Sequence, residues 1–315
     1  MRILVVGAGG IGGYFGGRLA QASRDVTFLV RPRRRDEIHA RGLQIVSPHG
    51  DLTVHPPMIT ADQISRPFDL ILLCVKSYSL EGAIGDFGPA VGAETVIVPG
   101  LNGMRHMEIL ARRFGTHAVL GGVCRVSTEV EADGKIRQLA DFQSWSYGEV
   151  DGSRSTRIEQ VDAAMSGAGF AASISEDIVG EMWQKWVLLA TLGAINCLLR
   201  GTIGEIAAVA DGPSVCLSIL HECAAIAKAC GHAQEEAFIG QQEKTLTTPG
   251  SPLTSSMYRD LKNGLPVEAD AIVGDLLARG TNQGVKTPLL AAAYVNLSIY
   301  QQERTLVAGR RAGSL

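Results

Sequence analysis

The first half of the chain alternates short, continuous apolar runs with amphipathic stretches. The apolar runs predict β-strands near residues 2–6, 26–30, 69–75, 95–99 and 118–124. The amphipathic stretches between them predict helices near residues 10–22, 33–41, 78–90 and 103–114. Strands that alternate with helices in this way favour an α/β domain with a mostly parallel sheet.

Three further segments complete this predicted domain. Residues 43–60 have the pattern of a short hairpin, with Pro48, His49 and Gly50 at its turn. Residues 126–150 alternate with a period of two, and we expect them to extend the sheet in an antiparallel direction. A helix near 154–168 and a strand near 170–174 then close the domain.

From about residue 175 the period becomes helical throughout. We predict helices over residues 176–200, 213–231, 233–246, 255–264, 268–282 and 288–303. A chain of 315 residues is long enough for two domains. We therefore expect an α/β domain over residues 1–175 and an all-α domain over residues 176–315.

A glycine motif joins the first strand to the first helix. Gly7 would allow the tight turn, Gly9 would let the backbone approach a pyrophosphate, and Gly12 would let the helix pack on the strand. The backbone N–H groups of Gly10 and Ile11 would face the phosphates at the helix start. This context predicts a Rossmann-type dinucleotide-binding domain, although such a turn also occurs without a ligand.

The residue that follows the second strand indicates which dinucleotide binds. An NAD site has an acidic residue there, which accepts hydrogen bonds from the ribose hydroxyls. This chain has Arg31, followed closely by Arg33, Arg34 and Arg35. A guanidinium attracts a 2′-phosphate, so we predict NADP(H) rather than NAD(H) or FAD. Some of these arginines could instead form a solvated helix start.

The composition excludes several other classes of protein. The formal net charge is −3 and the basic residues are not concentrated in one segment, so nucleic acid is not an expected partner. The longest apolar stretch, residues 186–199, is shorter than a membrane span and predicts a buried helix. Because the first strand runs directly into the glycine turn, we expect no signal peptide. The six cysteines form no C-x-x-C pair. We expect a reduced, cytoplasmic protein without a metal.

Two polar residues follow predicted strands at the edge where ligands bind in such sheets. Lys76 follows the strand near 69–75, and Asn102 follows the strand near 95–99. A solvated lysine or an ordinary Asn-Gly turn would explain each of them without a ligand. Because both residues lie on the same predicted edge, we favour a role for both in binding.

Lys185 is the candidate proton donor. It could form an ordinary helical ion pair with Glu181, four residues earlier. However, the fourteen residues after Lys185 carry no charge, so the helix enters the protein interior there. A lysine at that position could protonate a forming alkoxide.

Ser256 and Glu268 belong to later segments. Taken alone, they have the pattern of helix caps: Ser255 or Ser256 could begin a helix, and the sequence from Pro266 to Glu268 resembles an ordinary first turn.

Taken together, these motifs resemble the ketopantoate reductase (2-dehydropantoate 2-reductase) family over nearly the whole chain. The matching pieces are the glycine motif, Arg31 and the segments around Lys76, Asn102, Lys185, Ser256 and Glu268. The resemblance implies a Rossmann domain that binds NADP, a helical domain, and a small-molecule 2-oxo acid that binds in the cleft between them and is reduced to a 2-hydroxy acid.

By matching positions, the resemblance also implies residue roles. Lys185 would be the general acid, and Asn102 would orient cofactor and substrate. Lys76 would lie beside the cofactor, and Ser256 would bind the carboxylate or hydroxyl groups of the substrate. Glu268 would contact the substrate and Lys185.

The chain departs from the family at one place. Members usually have asparagines four and eight residues after the lysine, where this chain has Leu189 and Gly193. Asn196 lies eleven residues after Lys185, three helical turns away. We therefore expect a divergent member that acts on ketopantoate or on a more apolar 2-oxo acid.

Two alternative functions remain open at this point. One is an opine-type or other hydroxyacid dehydrogenase with the same two-domain plan. The other is a non-catalytic sensor of NADP(H), although a sensor would not need Lys185. The sequence also leaves open whether the protein is a monomer or a homodimer.

Overall fold

A computed structural model describes the backbone of residues 1–312 and the side chains of residues 1–306. The contacts within the chain divide it into two compact units. The first comprises Met1–Leu101 and His106–Met182, and the second comprises Asn102–Arg105 together with the chain from Trp183 onward. The predicted boundary between residues 175 and 176 remains a prediction.

The first unit contains two sheets and five helices. Its elements, in chain order, are β1 (Ile3–Val6), α1 (Gly10–Gln21), β2 (Val26–Leu29), α2 (Pro32–Arg41), β3 (Leu43–Val46), β4 (Leu52–Val54), β5 (Met58–Ile59), β6 (Leu70–Leu73), α3 (Leu80–Phe87), β7 (Val96–Pro99), α4 (Arg105–Phe114), β8 (Gly121–Val130), β9 (Ile136–Gly148), α5 (Thr156–Met165) and β10 (Ala171–Ile174).

The main sheet confirms the predicted α/β architecture. Its five strands are parallel and lie in the order β5-β2-β1-β6-β7. Every residue of β1, β6 and β7 is buried, as expected for continuous apolar runs that are covered on both faces. The carboxyl ends of these strands meet at one edge, where the glycine motif follows β1.

The second sheet contradicts part of the sequence-based prediction. Residues 126–150 are predicted to extend the sheet in an antiparallel direction. β8 and β9 do pair antiparallel, but they lie in a separate sheet with β3, β4 and β10. β8 and β9 hydrogen-bond to each other. The other edge of β9 pairs with β3 and β10. Near the predicted strand 118–124, only an isolated bridge between Ile97 and Val119 joins the main sheet.

The hairpin predicted at residues 43–60 is present in β3 and β4, which pair antiparallel, but the end of that segment, β5, pairs with β2 in the main sheet instead. One hydrophobic core extends from the main sheet through α1 to the second sheet, and it includes Phe15 of α1 and Trp145 of β9. The rings of these two residues meet edge to face, with centroids 5.1 Å apart. The core therefore holds the helix that follows the glycine motif firmly in place.

The second unit is helical, as predicted. Its elements are α6 (Ile178–Leu199, which begins in the first unit), α7 (Ile203–Ala207), α8 (Gly212–Ala229), α9 (Glu236–Leu246), α10 (Ser256–Lys262), a π-helix (Asp270–Gly274), α11 (Asp275–Asn282) and α12 (Pro288–Ala312). The sequence pattern did not predict the short helix α7 or the π-helical turn within residues 268–282.

Helix α6 is longer than the apolar run that marks it in the sequence. With 22 residues it is, within the described part of the chain, the one helix that is long and apolar enough to cross a membrane by length and composition alone. Most of its most apolar window is buried inside the protein, which is also true of core helices.

Candidate active site

The glycine loop between β1 and α1 has the geometry that a dinucleotide needs. Gly7 has φ +95°, which side chains rarely tolerate. A Cβ at Gly12 would collide with the carbonyl oxygen of Gly7, so only glycine allows this packing. At Gly9, by contrast, a Cβ would meet no atom within 4 Å. The protein itself therefore does not require glycine there, and the open space suits a ligand that approaches the backbone.

The start of α1 adds a second feature of an anion site. Gly9 is its N-cap and provides no side chain, and the first turn carries no acidic residue. The N–H groups of Gly10, Ile11 and Gly12 at the first three helical positions have no acceptor within the helix. Together with the helix dipole, they form a cradle that fits a pyrophosphate.

The four arginines after β2 differ in their partners. Arg33 and Arg34 both pair with Glu37, at 3.0 and 3.3 Å, and Arg35 pairs with Asp36 at 3.1 Å. Arg31 is the N-cap of α2 and is exposed, and within the described part of the chain its side chain has no ion pair. The interpretation of a solvated helix start therefore fits Arg33 and Arg35 and leaves Arg31 for a ligand.

Arg34 also contacts the glycine loop, which the sequence did not predict. Its Nε donates to the carbonyl oxygen of Ala8 at 3.2 Å, and another nitrogen donates to the carbonyl oxygen of Gly134 at 3.0 Å. It thereby ties the loop to the turn between β8 and β9. No local sequence signal could have distinguished Arg34 from its neighbours.

Lys76 lies after β6, in the segment beside the glycine loop. It has extended backbone and precedes a short 3₁₀ turn, Ser77–Ser79. A Cβ at Gly7 would lie 3.1 Å from the carbonyl oxygen of Cys74, two residues before Lys76. Lys76 is half-buried, and its predicted place beside the cofactor remains a prediction.

The other predicted residues, Asn102, Lys185, Ser256 and Glu268, all belong to the second unit. Although β7 belongs to the first unit, Asn102 is grouped with the helical unit by its contacts. Lys185 is half-buried on α6. Its predicted ionic partner, Glu181, pairs with Arg125 at 3.1 Å, so this carboxylate already has another cationic partner.

Glu268 is a buried carboxylate with 5% exposure. The helix begins only after it, so Pro266 does not form the predicted first turn. The π-helix follows directly, and the indole Nε1 of Trp186 donates a hydrogen bond to the carbonyl oxygen of Ile272 at 2.8 Å. The neighbour of Lys185 is therefore joined to the turn that follows Glu268.

The two serines before α10 have different surroundings. Ser255 is the N-cap, and its side chain accepts a hydrogen bond from the backbone N–H of Tyr258 at 3.1 Å. Ser256 is half-buried at the first helical position, and its hydroxyl makes no hydrogen bond to any described residue. Capping therefore accounts for Ser255 and leaves the hydroxyl of Ser256 for a ligand.

The places of the two missing asparagines are apolar in the structure. Leu189 is half-buried, and Gly193 is buried one turn further along α6. A Cβ at Gly193 would collide with the terminal methyl group of Met257, which is itself 3% exposed. Met257 thus fills the space beside Gly193, a contact that only the tertiary structure reveals.

Comparison with known proteins identifies the family. The sequence model of "Ketopantoate reductase PanE/ApbA" matches residues 3–152, and that of "Ketopantoate reductase PanE/ApbA C terminal" matches residues 177–301. The chain belongs to the ketopantoate reductase family. An uncharacterized oxidoreductase, YkpB of Bacillus subtilis, is 34% identical over 96% of this chain and 100% of its own length.

Two further relatives carry the name of the family's reaction. The 2-dehydropantoate 2-reductase of Mesorhizobium japonicum is 28% identical, over 93% of this chain and 95% of its own. The crystal structure of the 2-dehydropantoate 2-reductase of Geobacter metallireducens has a TM-score of 0.86 at 28% identity and covers 95% of this chain and 99% of its own. The chain is thus an oxidoreductase of the ketopantoate reductase family, which supports a 2-oxo acid as its small-molecule substrate and a nicotinamide cofactor.

Proposed function

We propose that this protein uses NADPH to reduce a 2-oxo acid whose side chain is more apolar than that of ketopantoate. The choice of NADPH over NADH rests on Arg31, which has no carboxylate partner among the described residues. The three later arginines all pair with carboxylates: Arg33, Arg34 and Arg35. A free guanidinium at the end of β2 suits a 2′-phosphate, because charge-assisted hydrogen bonds to phosphate are strong.

The residues of the first unit fit the cofactor. Gly7 and Gly12 permit the turn, Gly9 leaves room for the pyrophosphate, and the start of α1 offers its N–H groups. Arg31 would hold the 2′-phosphate, and Lys76 would lie beside the cofactor. When bound, the nicotinamide supplies the hydride that reduces a ketone carbon.

The residues of the second unit supply the proton and bind the acid. The ammonium group of Lys185 would stabilise the negative charge that develops on the ketone oxygen and then donate its proton to that oxygen. Ser256 would bind the carboxylate or a hydroxyl group of the substrate. Glu268 would contact the substrate and Lys185, and Asn102 would orient both reactants.

The apolar character of the proposed substrate follows from positions 189 and 193. Leu189 offers no hydrogen bond, and Met257 fills the space beside Gly193. A polar substrate that lost its hydrogen-bond partners there would bind less well, because desolvated polar groups would remain unpaired. An apolar side chain would gain about 0.8 kcal/mol for each methylene that it buries.

We also propose that the protein acts in the cytoplasm. All six cysteines are free, which suits a reducing compartment.

The test is a spectrophotometric assay of NADPH oxidation over a panel of 2-oxo acids that includes ketopantoate and longer or aromatic analogues. We expect turnover that depends on the oxo acid, with a higher kcat/KM for the apolar members than for ketopantoate. NADPH binding without turnover on any member would favour a sensor. Turnover only after an amino acid is added would favour an opine-type enzyme, and high efficiency on ketopantoate alone would contradict the apolar pocket.

A further inference from the structure

A π-helix begins at Asp270, two residues after the buried Glu268. In this turn the N–H of Asp275 bonds to the carbonyl oxygen of Asp270, five residues earlier, whereas the N–H of Ile272 bonds to Glu268 four residues earlier. The spacing between donor and acceptor changes from four residues to five, which inserts one extra residue into the helical turn and shifts the hydrogen-bond register. Such turns are frequent at functional sites, and this one has partners on three sides.

The first partner is Trp186, the neighbour of Lys185 on α6. Its indole is 1% exposed, and its N–H donates to the carbonyl oxygen of Ile272 in the middle of the π-helix, at 2.8 Å. This directional bond fixes the α6 turn that carries Lys185 relative to the turn that follows Glu268. It sets both the position of the α6 turn along the helix axis and its rotation about that axis.

The second partner is the segment that carries Asn102. Gly103 has φ +80°, and a Cβ there would lie 2.5 Å from the carbonyl oxygen of Ala271 and 3.8 Å from the Nε1 of Trp186. The backbone next to Asn102 therefore packs directly on the π-helix and beside the indole. Neighbours of Asn102, Lys185 and Glu268 thus meet at one turn.

The third partner is Tyr294 of α12, which contacts both ends of the π-helix. Its hydroxyl donates to Oδ1 of Asp270 at 2.8 Å, and a Cβ at Gly274 would lie 2.7 Å from its ring. The hydrogen bond to the Asp270 carboxylate raises the pKa of Tyr294 above its ordinary value, at which the hydroxyl is already protonated and able to donate at neutral pH.

We propose that the π-helix Asp270–Gly274 aligns the three predicted active-site residues, and that Trp186 and Tyr294 are positioning residues for the reaction. This inference rests on the proposed function, because it takes Lys185 as the proton donor. Loss of the Trp186 bond would let the turn with Lys185 move against Glu268, and a misplacement of about 1 Å can cost a hundredfold in rate.

The experiment compares two tryptophans of the same helix. Trp186→Phe keeps an aromatic ring but removes the N–H donor to Ile272. Trp183→Phe is the matched control, since Trp183 is also buried, contacts the ring of Trp186 and stacks on His232, but donates no bond to the π-helix. It therefore perturbs the same aromatic packing and keeps the bond from Trp186 to Ile272. Each variant is assayed for kcat, for the solvent deuterium isotope effect on kcat, and for the dissociation constant of NADPH.

We expect Trp186→Phe to lower kcat by about tenfold to a hundredfold with an unchanged NADPH dissociation constant. The solvent isotope effect should increase, because a misplaced donor makes proton transfer limit the rate. Trp183→Phe should keep kcat and the solvent isotope effect close to those of the wild type. A smaller active fraction, which is what a purely structural role would cause, would lower kcat without changing the isotope effect.

Tyr294→Phe provides the second variant, because it removes only the hydroxyl and keeps the ring against Gly274. Like Trp186→Phe, it should lower kcat and increase the solvent isotope effect. If Trp186→Phe does not fold, Tyr294→Phe replaces it in the experiment. The proposal is overturned if the folded variants keep the wild-type kcat, or if Trp186→Phe and Trp183→Phe lose kcat equally with no change in the isotope effect. Absence of turnover in the wild type would instead refute the proposed function.

Discussion

The side-chain oxygen of Asn196 accepts a hydrogen bond from the backbone N–H of Ser255 at 2.8 Å. Its amide nitrogen donates to the carbonyl oxygen of Gly201, also at 2.8 Å, and the side chain is fully buried. Asn196 therefore holds the start of α10 in place. Its amide is committed to the protein backbone and does not replace the asparagines that are missing at positions 189 and 193.

Asn196→Ala should therefore affect stability rather than substrate choice. Each backbone group left without its partner costs about 1–3 kcal/mol, so the free energy of unfolding should decrease by at least that amount. Chemical denaturation measures this decrease. The ratio of kcat/KM values for ketopantoate and an apolar 2-oxo acid should stay the same, and a selective loss of activity on ketopantoate would show that Asn196 binds substrate.

Arg31→Ala tests the choice of cofactor. Removal of a charge-assisted bond worth about 1.5–3 kcal/mol should weaken NADPH binding by about one to two decades and leave NADH nearly unchanged. Arg33→Ala is the matched control, because it makes the same charge change at a residue that pairs with Glu37. Fluorescence titration with both cofactors provides the measurement. Equal weakening of NADPH and NADH would assign Arg31 another role.

Gly9→Val tests the glycine loop. Because a Cβ at Gly9 meets no protein atom within 4 Å, the variant should fold normally. The branched side chain would instead occupy the space reserved for the pyrophosphate and abolish binding of both cofactors. Gly82→Val on α3, where a Cβ also meets nothing within 4 Å, should bind normally. A folded Gly9→Val protein with wild-type affinity for NADPH would contradict the cofactor site.

A buried ion pair predicts how stability depends on pH. Glu149 is 6% exposed, and hydrogen bonds from Arg157 hold the pKa of its carboxyl below the usual value. A carboxyl with a lowered pKa stabilises the folded state above its unfolded pKa, about 4.3, and this contribution disappears as the pH falls through the lower folded pKa.

Glu149→Gln should therefore lower the free energy of unfolding by about 1–3 kcal/mol at pH 7, with a smaller difference below about pH 4. Glu159→Gln, which removes an exposed pair with Arg154, should cost less than about 1 kcal/mol. Chemical denaturation at pH 7 and at pH 3 compares the free energies of unfolding of the two variants. Equal losses at pH 7 and pH 3 would show that the charge of Glu149 does not contribute.

The sequence predicted most of the fold because the signals are local. Continuous apolar runs mark the strands of the main sheet, and helical periods mark the second unit. The position of the hairpin β8–β9 was predicted wrongly, because alternation with a period of two indicates a half-buried strand and not the sheet that it joins.

The glycine loop and Arg31 could be singled out from the sequence for the same local reason. The contacts around them could not: Trp186 and Ile272 are 86 residues apart, and Arg34 and Gly134 are 100 residues apart. The local pattern alone does not distinguish Ser256 from Ser255; the family resemblance selects Ser256, and the structure gives the cap to Ser255. Such contacts depend on how helices pack, which periodicity does not reveal.

Lys185→Ala tests the proton donor. Removal of a general acid should lower turnover by about two to four decades, whereas the NADPH dissociation constant should change little, because the cofactor contacts lie on other residues. Steady-state kinetics and fluorescence titration provide the two values. Turnover close to that of the wild type would show that another group protonates the alkoxide.

Deuterium transfer follows the proposed passage of hydride from NADPH to the ketone carbon of a 2-oxo acid. The wild-type protein is incubated with an apolar 2-oxo acid and each of the two forms of NADPH deuterated at C4 of the nicotinamide, and the hydroxy acid is analysed by mass spectrometry. We expect one deuterium at C2 of the product from one of the two forms. A hydroxy acid without deuterium from either form, or no hydroxy acid at all, would contradict it.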